Sequence, residues 1–426
     1  MAKKKGGLED VVALDSSICA VDGLQGRLFY RGMEINELAA HSTYPETAYL
    51  LWFGRLPTSD QLDDLMAQFY SERELPPAVL HMIVEFMPSW DSMEGLRTAV
   101  SAISGYDPGG LNHIREEDQK RAISLTARMP TIIASYHRAR QKLPPVPPSR
   151  GLATAANFLY MLSGERPSEQ KARILDVCLI VHADHELNAS TFAARVAAST
   201  LADIYAAVCA GIATLDGPLH GGANEQVLAM LEEIGTPDRA ERYVLDLLAQ
   251  GKKVPGFGHR VYKTADPRAT ILRPFAAELA KETGQTRLFD TARKIEEVVM
   301  RERGLNANLD YVSAQVYHGL GIPADLMTPL FAMSRCAGWT AHILEQYSDN
   351  RLIRPRARYV GPKNVHYIPI EERRTKAAYG GTHDPGRTAG GLRPASTLRR
   401  SLRGGPPADQ DPDPGRPGLR HRRGGG

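Results

Sequence analysis

The chain has no CxxC pair and only four cysteines, Cys19, Cys178, Cys209 and Cys336, spread far apart. That spacing excludes a zinc ribbon and a disulfide framework. It fits a reducing compartment, so a cytoplasmic protein is expected. Long apolar runs are missing too: Val177-Cys178-Leu179-Ile180-Val181 falls far short of the roughly 20 residues a bilayer-spanning helix needs, and no membrane partner is expected. The basic start Ala2-Lys3-Lys4-Lys5 runs into Leu8-Glu9-Asp10 rather than an apolar stretch, so no signal peptide is read there. GxxxxGK[ST], GxGxxG after a strand, and HExxH are all absent, which removes the main nucleotide-phosphate readings and the commonest zinc motif. No strand–helix alternation of the βαβ kind is visible, so the expected class is all-α.

What is present suffices for a large core. With 426 residues and 42% hydrophobic content, two domains are expected rather than one. The formal net charge of +3 hides an asymmetry. Residues 375–426 hold 10 of the 52 Lys/Arg and 4 of the 49 Asp/Glu, so the remaining chain is mildly acidic and offers no general nucleic-acid surface. The same 52 residues contain 12 Gly and 7 Pro with no Val, Ile or Phe, too little apolar surface to offset ordering entropy, and disorder is expected. A nucleic-acid tether built on Arg399, Arg400 and Arg403 is disfavoured because Tyr379 is the lone aromatic there and Asp409, Asp411 and Asp413 interrupt the basic run.

Near the start, Asp22-Gly23 between two β-like runs predicts a hairpin. Afterwards the pattern is helical, with Thr58 and Ser59 as candidate N-caps, helices over 116–138 and 151–163, and a long alanine-rich helix over 188–214 packed on several sides.

Two segments, Leu219-His220-Gly221-Gly222 and Pro255-Gly256-Phe257-Gly258-His259-Arg260, each set one histidine among glycines on a loop, where backbone can approach a ligand closely. Asn308-Leu309-Asp310 puts a carboxylate at a helix start. Read alone, an aspartate at a helix start such as Asp310 is more often a cap than a base, and each histidine is more often structural than functional. Together they form an acid–base kit. The arginines after them suggest an anionic substrate, and Arg335, inside the apolar run 330–339, requires a carboxylate or bound-anion partner. His182, Asp184 and His185 offer a competing metal reading, weakened by the lack of a further ligand at motif spacing, so no metal is expected.

The ordered set Asp22-Gly23 with Tyr30-Arg31-Gly32, the block from His182 to Phe192, the block from Gly217 to Asn224, the block from Pro255 to Arg268, Asn308-Leu309-Asp310 and Arg354-Pro355-Arg356 resembles citrate synthases of the short bacterial and archaeal kind. The likeness runs over about residues 8–373. It implies a two-domain helical homodimer with a small N-terminal hairpin: a large domain from residues 1–222 and 321–374, and a small one from 223–320 that closes over the substrates about the glycines at 217–222. It implies that Asp310 takes a methyl proton from acetyl-CoA, that His220 stabilises the enol, and that His259 serves the oxaloacetate carbonyl. His185, Arg268, Arg335 and Arg354 would hold the oxaloacetate carboxylates, Arg354 from the other subunit. Lys253, Pro255, Gly256, Phe257, Gly258 and Lys263 would hold CoA, which is a substrate, with no cofactor needed. Synthesis of 2-methylcitrate from propionyl-CoA is the nearest alternative, since one methylene is worth only about 1–3 kcal/mol.

Overall fold

The computed structural model describes residues 8, 11–107, 113 and 115–373. The disorder expected for 375–426 lies outside the described residues. The predicted hairpin is present: β1 (Cys19–Asp22) pairs antiparallel with β2 (Arg27–Tyr30), Cys19 opposite Tyr30 and Asp22 opposite Arg27. The Asp22 carboxylate closes the turn by accepting from the amides of Leu24 (3.0 Å) and Gln25 (2.8 Å). A third strand, β3 (Met33–Glu34), extends the sheet; at two residues it is too short for any periodicity to announce it.

Sixteen α-helices follow among the described residues. The first ten are α1 (Ile35–His41), α2 (Tyr44–Phe53), α3 (Ser59–Glu72), α4 (Pro77–Phe86), α5 (Ser92–Ile103), α6 (Arg115–Arg140), α7 (Thr154–Ser163), α8 (Glu169–His182), α9 (Ala189–Ser199) and α10 (Ile204–Leu215). The remainder are α11 (Ala223–Ile234), α12 (Pro237–Ala249), α13 (Pro267–Glu282), α14 (Thr286–Arg303), α15 (Leu309–Gly319) and α16 (Met327–Ser348). Thr58 caps α3 with a reciprocal capping box through Gln61, as its position predicts.

The single helix expected over 188–214 is two. The chain breaks at Thr200–Asp203, where Leu201 takes φ +62° and the Asp203 carboxylate caps α10 by accepting from Ala206 N–H. Small apolar residues on both sides carry one unbroken pattern, so only the capping aspartate marked the break. α9 and α10 then pack on each other.

α16 is the core's axis. Buried through almost its whole length, it packs on α2, α6, α8, α9 and α10. α11 to α15 pack chiefly among themselves, α13 on α15 and α12 on α14. Residues through Pro355 make one compact unit. Arg356–Arg373, described by itself, has no regular element except a 3₁₀ turn at Ile370–Glu372, and it exposes Tyr359, Val360, Val365, Tyr367 and Ile370. Among the described residues, no helix is long and apolar enough to cross a membrane.

Candidate active site

The loop before His259 and the segment before Asp310 are zipped together. Phe257 bridges Ala307, Gly258 N donates to Asn306 O (3.0 Å), and Asn308 N donates to Gly256 O (2.9 Å). Gly256 takes φ +80°, and a Cβ there would stand 2.8 Å from Tyr311 and Val227 side-chain atoms, so glycine is what permits this approach. Asn308 completes the joint. Its amide Nδ2 donates to Gly258 O (3.0 Å), while its Oδ1 accepts from Asp310 N (3.0 Å) and Tyr311 N (3.3 Å). Asn308, not Asp310, is therefore the cap of α15, and the cap reading of Asp310 is overturned. Its carboxylate accepts no hydrogen bond from any described residue. It lies deep among neighbours with only a partial opening, and burial pushes its pKa up to about 6; Arg268 and Arg335 oppose that shift and Asp266 adds to it.

The histidines are held as neutral donors. His259 Nδ1 accepts from Val261 N and Tyr262 N, both 3.1 Å, so the ring proton is assigned to Nε2. Burial, reinforced by Arg268, pushes its pKa down to about 4. His220 Nε2 lies 2.8 Å from Ser190 Oγ and receives Ser190 N–H at 3.3 Å. A backbone amide only donates, so the proton falls to Nδ1. Burial and then Arg335 push this histidine to about 4 as well. Trp339 Nε1–H, donating to Ser190 Oγ at 3.1 Å, fixes the serine from behind. His185 bonds Tyr262 OH through Nε2 (3.2 Å), its ring centre 5.3 Å from that of His259, and burial holds it neutral.

Arg268, at the start of α13, is held by Asp266. The carboxylate accepts from Arg268 Nε (3.0 Å), Nη2 (2.9 Å) and backbone N (3.0 Å), and also from Leu309 N (3.2 Å). One aspartate thus ties the starts of α13 and α15. Arg335 is different. Its Nε donates to His182 O (2.7 Å) and its guanidinium stacks on Phe331 at 4.8 Å, but it makes no ion pair with a described residue. Burial lowers its pKa, with buried Asp184 the main opposing charge. Such a cation is ready for an anionic ligand.

Six of the residues singled out from sequence, His185, His220, His259, Arg268, Asp310 and Arg335, therefore converge. Arg354 does not: it is exposed and makes no hydrogen bond or ion pair with a described residue of its own chain. Lys253, Phe257 and Gly258 line a cavity of about 520 Å³ beside His259, together with Lys252, Arg260 and Arg303 and an apolar floor of Leu248, Val299 and Leu305. Lys263 lines an adjoining cavity of about 260 Å³. Pro255 and Gly256 line neither, and Gly256 packs instead on Tyr311.

The residues of the metal reading face separate partners: His182 Nδ1 bonds Cys178 O (2.8 Å), Asp184 bonds His342 (3.2 Å) and His185 bonds Tyr262. Sequence reasoning gave no role of their own to Ser190, Tyr262, Asp266, Asn308 and Arg303. Two carried a local signal, Asp266 before Pro267 and Asn308 two residues before Asp310, both of which mark helix starts. A base with two fixed neutral donors and unpaired cationic capacity suits proton removal beside a carbonyl in an anionic substrate complex.

Comparison with known proteins agrees. The profile described as "Citrate synthase, C-terminal domain" matches residues 7–356. The citrate synthase of Haloferax volcanii is 46% identical over 374 residues, covering 87% of this chain and 99% of that protein. A citrate/2-methylcitrate synthase of Bacillus subtilis is 38% identical over 358 residues, covering 84% and 96%. Among solved structures, citrate synthase from Pyrobaculum aerophilum superposes with TM-score 0.81 at 43% identity, covering 86% of this chain and 94% of that one. The ternary complex of Thermoplasma acidophilum citrate synthase with carboxymethyl coenzyme A and oxaloacetate gives TM-score 0.82 at 34% identity, covering 86% and 98%.

Proposed function

The chain belongs to the citrate synthase family, and from that premise we propose that it condenses acetyl-CoA with oxaloacetate and water to citrate and CoA, with the residues above in the following roles. Asp310 removes a methyl proton from acetyl-CoA. At a pKa of about 6 it is roughly a hundredfold stronger base than a solvated aspartate. His220 Nδ1–H donates to the thioester oxygen as enolate charge develops. The electron pair released at the methyl carbon forms the new bond to the keto carbon, and charge gathers on the keto oxygen against His259 Nε2–H. Arg268, Arg335 and His185 hold the oxaloacetate. Hydrolysis of the resulting thioester releases CoA. Lys253, Phe257 and Gly258, with Lys252 and Arg303, hold CoA in the larger cavity, and Lys263 lies beside it.

Residues 223–320 act as a small domain, hinged near 217–222, that closes on the large one and excludes water. The working form is a homodimer in which Arg354, without a hydrogen bond or ion pair to a described residue of its own chain, completes the neighbouring subunit's site. The exposed apolar side chains of Arg356–Arg373 fit an arm that lies on a second copy. Four free thiols fit a cytoplasmic setting. No metal, nucleic acid or membrane enters this reading.

The observation that carries the reading is the Asp310 carboxylate, which burial raises to about 6 and which accepts no hydrogen bond from any described residue, together with two histidines that burial keeps neutral. The test is release of CoA thiol from acetyl-CoA with and without oxaloacetate, repeated on Asp310→Asn. Oxaloacetate-dependent release that collapses in the variant supports it; release that persists sinks the role of Asp310. Because one relative is named for both products, propionyl-CoA belongs in the same assay.

A further inference from the structure

We propose that the N-terminal hairpin is a brace that holds His185 and His259 in register, with Gly23 and Gly26 as its seat on the His259 segment. The inference rests on the role given to His259 above. At one end of the hairpin, Tyr30 OH on β2 donates to Asp184 O (2.8 Å) and accepts from Asp184 N (3.1 Å), the peptide that precedes His185. At the other end the turn lies against 261–265. Gly23 O accepts from Lys263 N (2.8 Å). A Cβ on Gly23 would stand 2.3 Å from Val261 O, and one on Gly26 would stand 2.5 Å from Thr264 Oγ1 and 2.9 Å from Ala265 O.

These contacts reach the histidine directly. The residue whose carbonyl presses on Gly23 is Val261, and its N–H is one of the two donors that orient His259. A four-residue strand is stiff over its length of about 13 Å. Movement of the turn therefore changes the His185–His259 spacing, now 5.3 Å between ring centres. Among the described residues, the turn's hydrogen bond to a candidate substrate residue is to Lys263's backbone, so Gly23 and Gly26 are positioning residues.

The experiment compares full-length wild type with Gly23→Ala, Asp22→Ala, Leu24→Ala and His259→Gln. It reads kcat, both KM values, the melting temperature and the ¹³C shift of the keto carbon in bound oxaloacetate. The brace predicts that Gly23→Ala lowers kcat by about 100-fold, as an ångström-scale misplacement does. The keto shift moves toward its free value, and KM for acetyl-CoA stays within about twofold, as expected for loss of a transition-state interaction. Asp22→Ala removes the turn's acceptor without adding an atom, so it answers the question even if Gly23→Ala does not fold; it should lower kcat in the same direction and speed hydrogen exchange at Lys263 N–H. Leu24, 77% exposed, should be silent on replacement. A lower melting temperature with unchanged kcat and keto shift in both turn variants overturns the brace. If His259→Gln also leaves the keto shift unchanged, it is the role of His259 that fails.

Discussion

With Asp310 as the proposed base, the pH dependence of the reaction can be calculated. A carboxyl with a pKa of about 6 is half protonated at that pH, and only the ionised form can accept the methyl proton. Activity is therefore present above pH 6 and is lost as pH falls through it. The ionised fraction drops from about nine-tenths at pH 7 to about one-tenth at pH 5, roughly a tenfold loss of rate at subsaturating acetyl-CoA. His220 and His259, both near 4, stay neutral through that window, so one proton is involved and the limb has unit slope. The buried Asp266 charge contributes to the raised value. Asp266→Asn keeps an acceptor for the α13 cap while removing that charge and freeing Arg268, so it should move the limb to lower pH. The rate is followed by loss of thioester ultraviolet absorbance, which needs no thiol reagent. The group is assigned by the carboxyl ¹³C resonance that disappears in Asp310→Asn. A resonance titrating near 4, a limb of slope two, or an upward shift in Asp266→Asn would refute the reasoning.

Three further outcomes follow from the geometry. His220→Gln should lower kcat by about 10²–10³-fold while calorimetric binding of oxaloacetate is retained, since the role proposed for this donor is at the thioester and not at the keto acid. Arg335→Leu should weaken oxaloacetate binding by about 2–5 kcal/mol in the same calorimeter, with the loss of its hydrogen bond to His182 O read separately as a lower melting temperature. Gly256→Ala, forced against Tyr311 and Val227 at positive φ, should cost about 1–3 kcal/mol, seen as a lower melting temperature together with reduced kcat as the joint to Asn308 opens.

Local chemistry was legible before the fold was known. Asp22-Gly23 announced the hairpin because an aspartate that accepts two amides closes a turn within four residues. Thr58 announced α3 because its cap lies three residues away. The acid–base residues stood out because histidines among glycines and a carboxylate at a helix start are short-range patterns. The break at Thr200–Asp203 was hidden because alanines on both sides of it carry one period.

Beyond that reach, tertiary structure decided. That Asn308 and not Asp310 caps α15 depends on Gly258, fifty residues earlier. The raised carboxyl and the neutral histidines come from burial, which no local spacing encodes. Ser190 and Asp266 matter only because folding sets them against His220 and against the starts of two helices. The amino-acid sequence by itself determined which reactive groups exist and which turns carry them. Packing alone decided their protonation, their tautomers and which of them face one another, because desolvation and backbone hydrogen bonds arise only once distant segments meet.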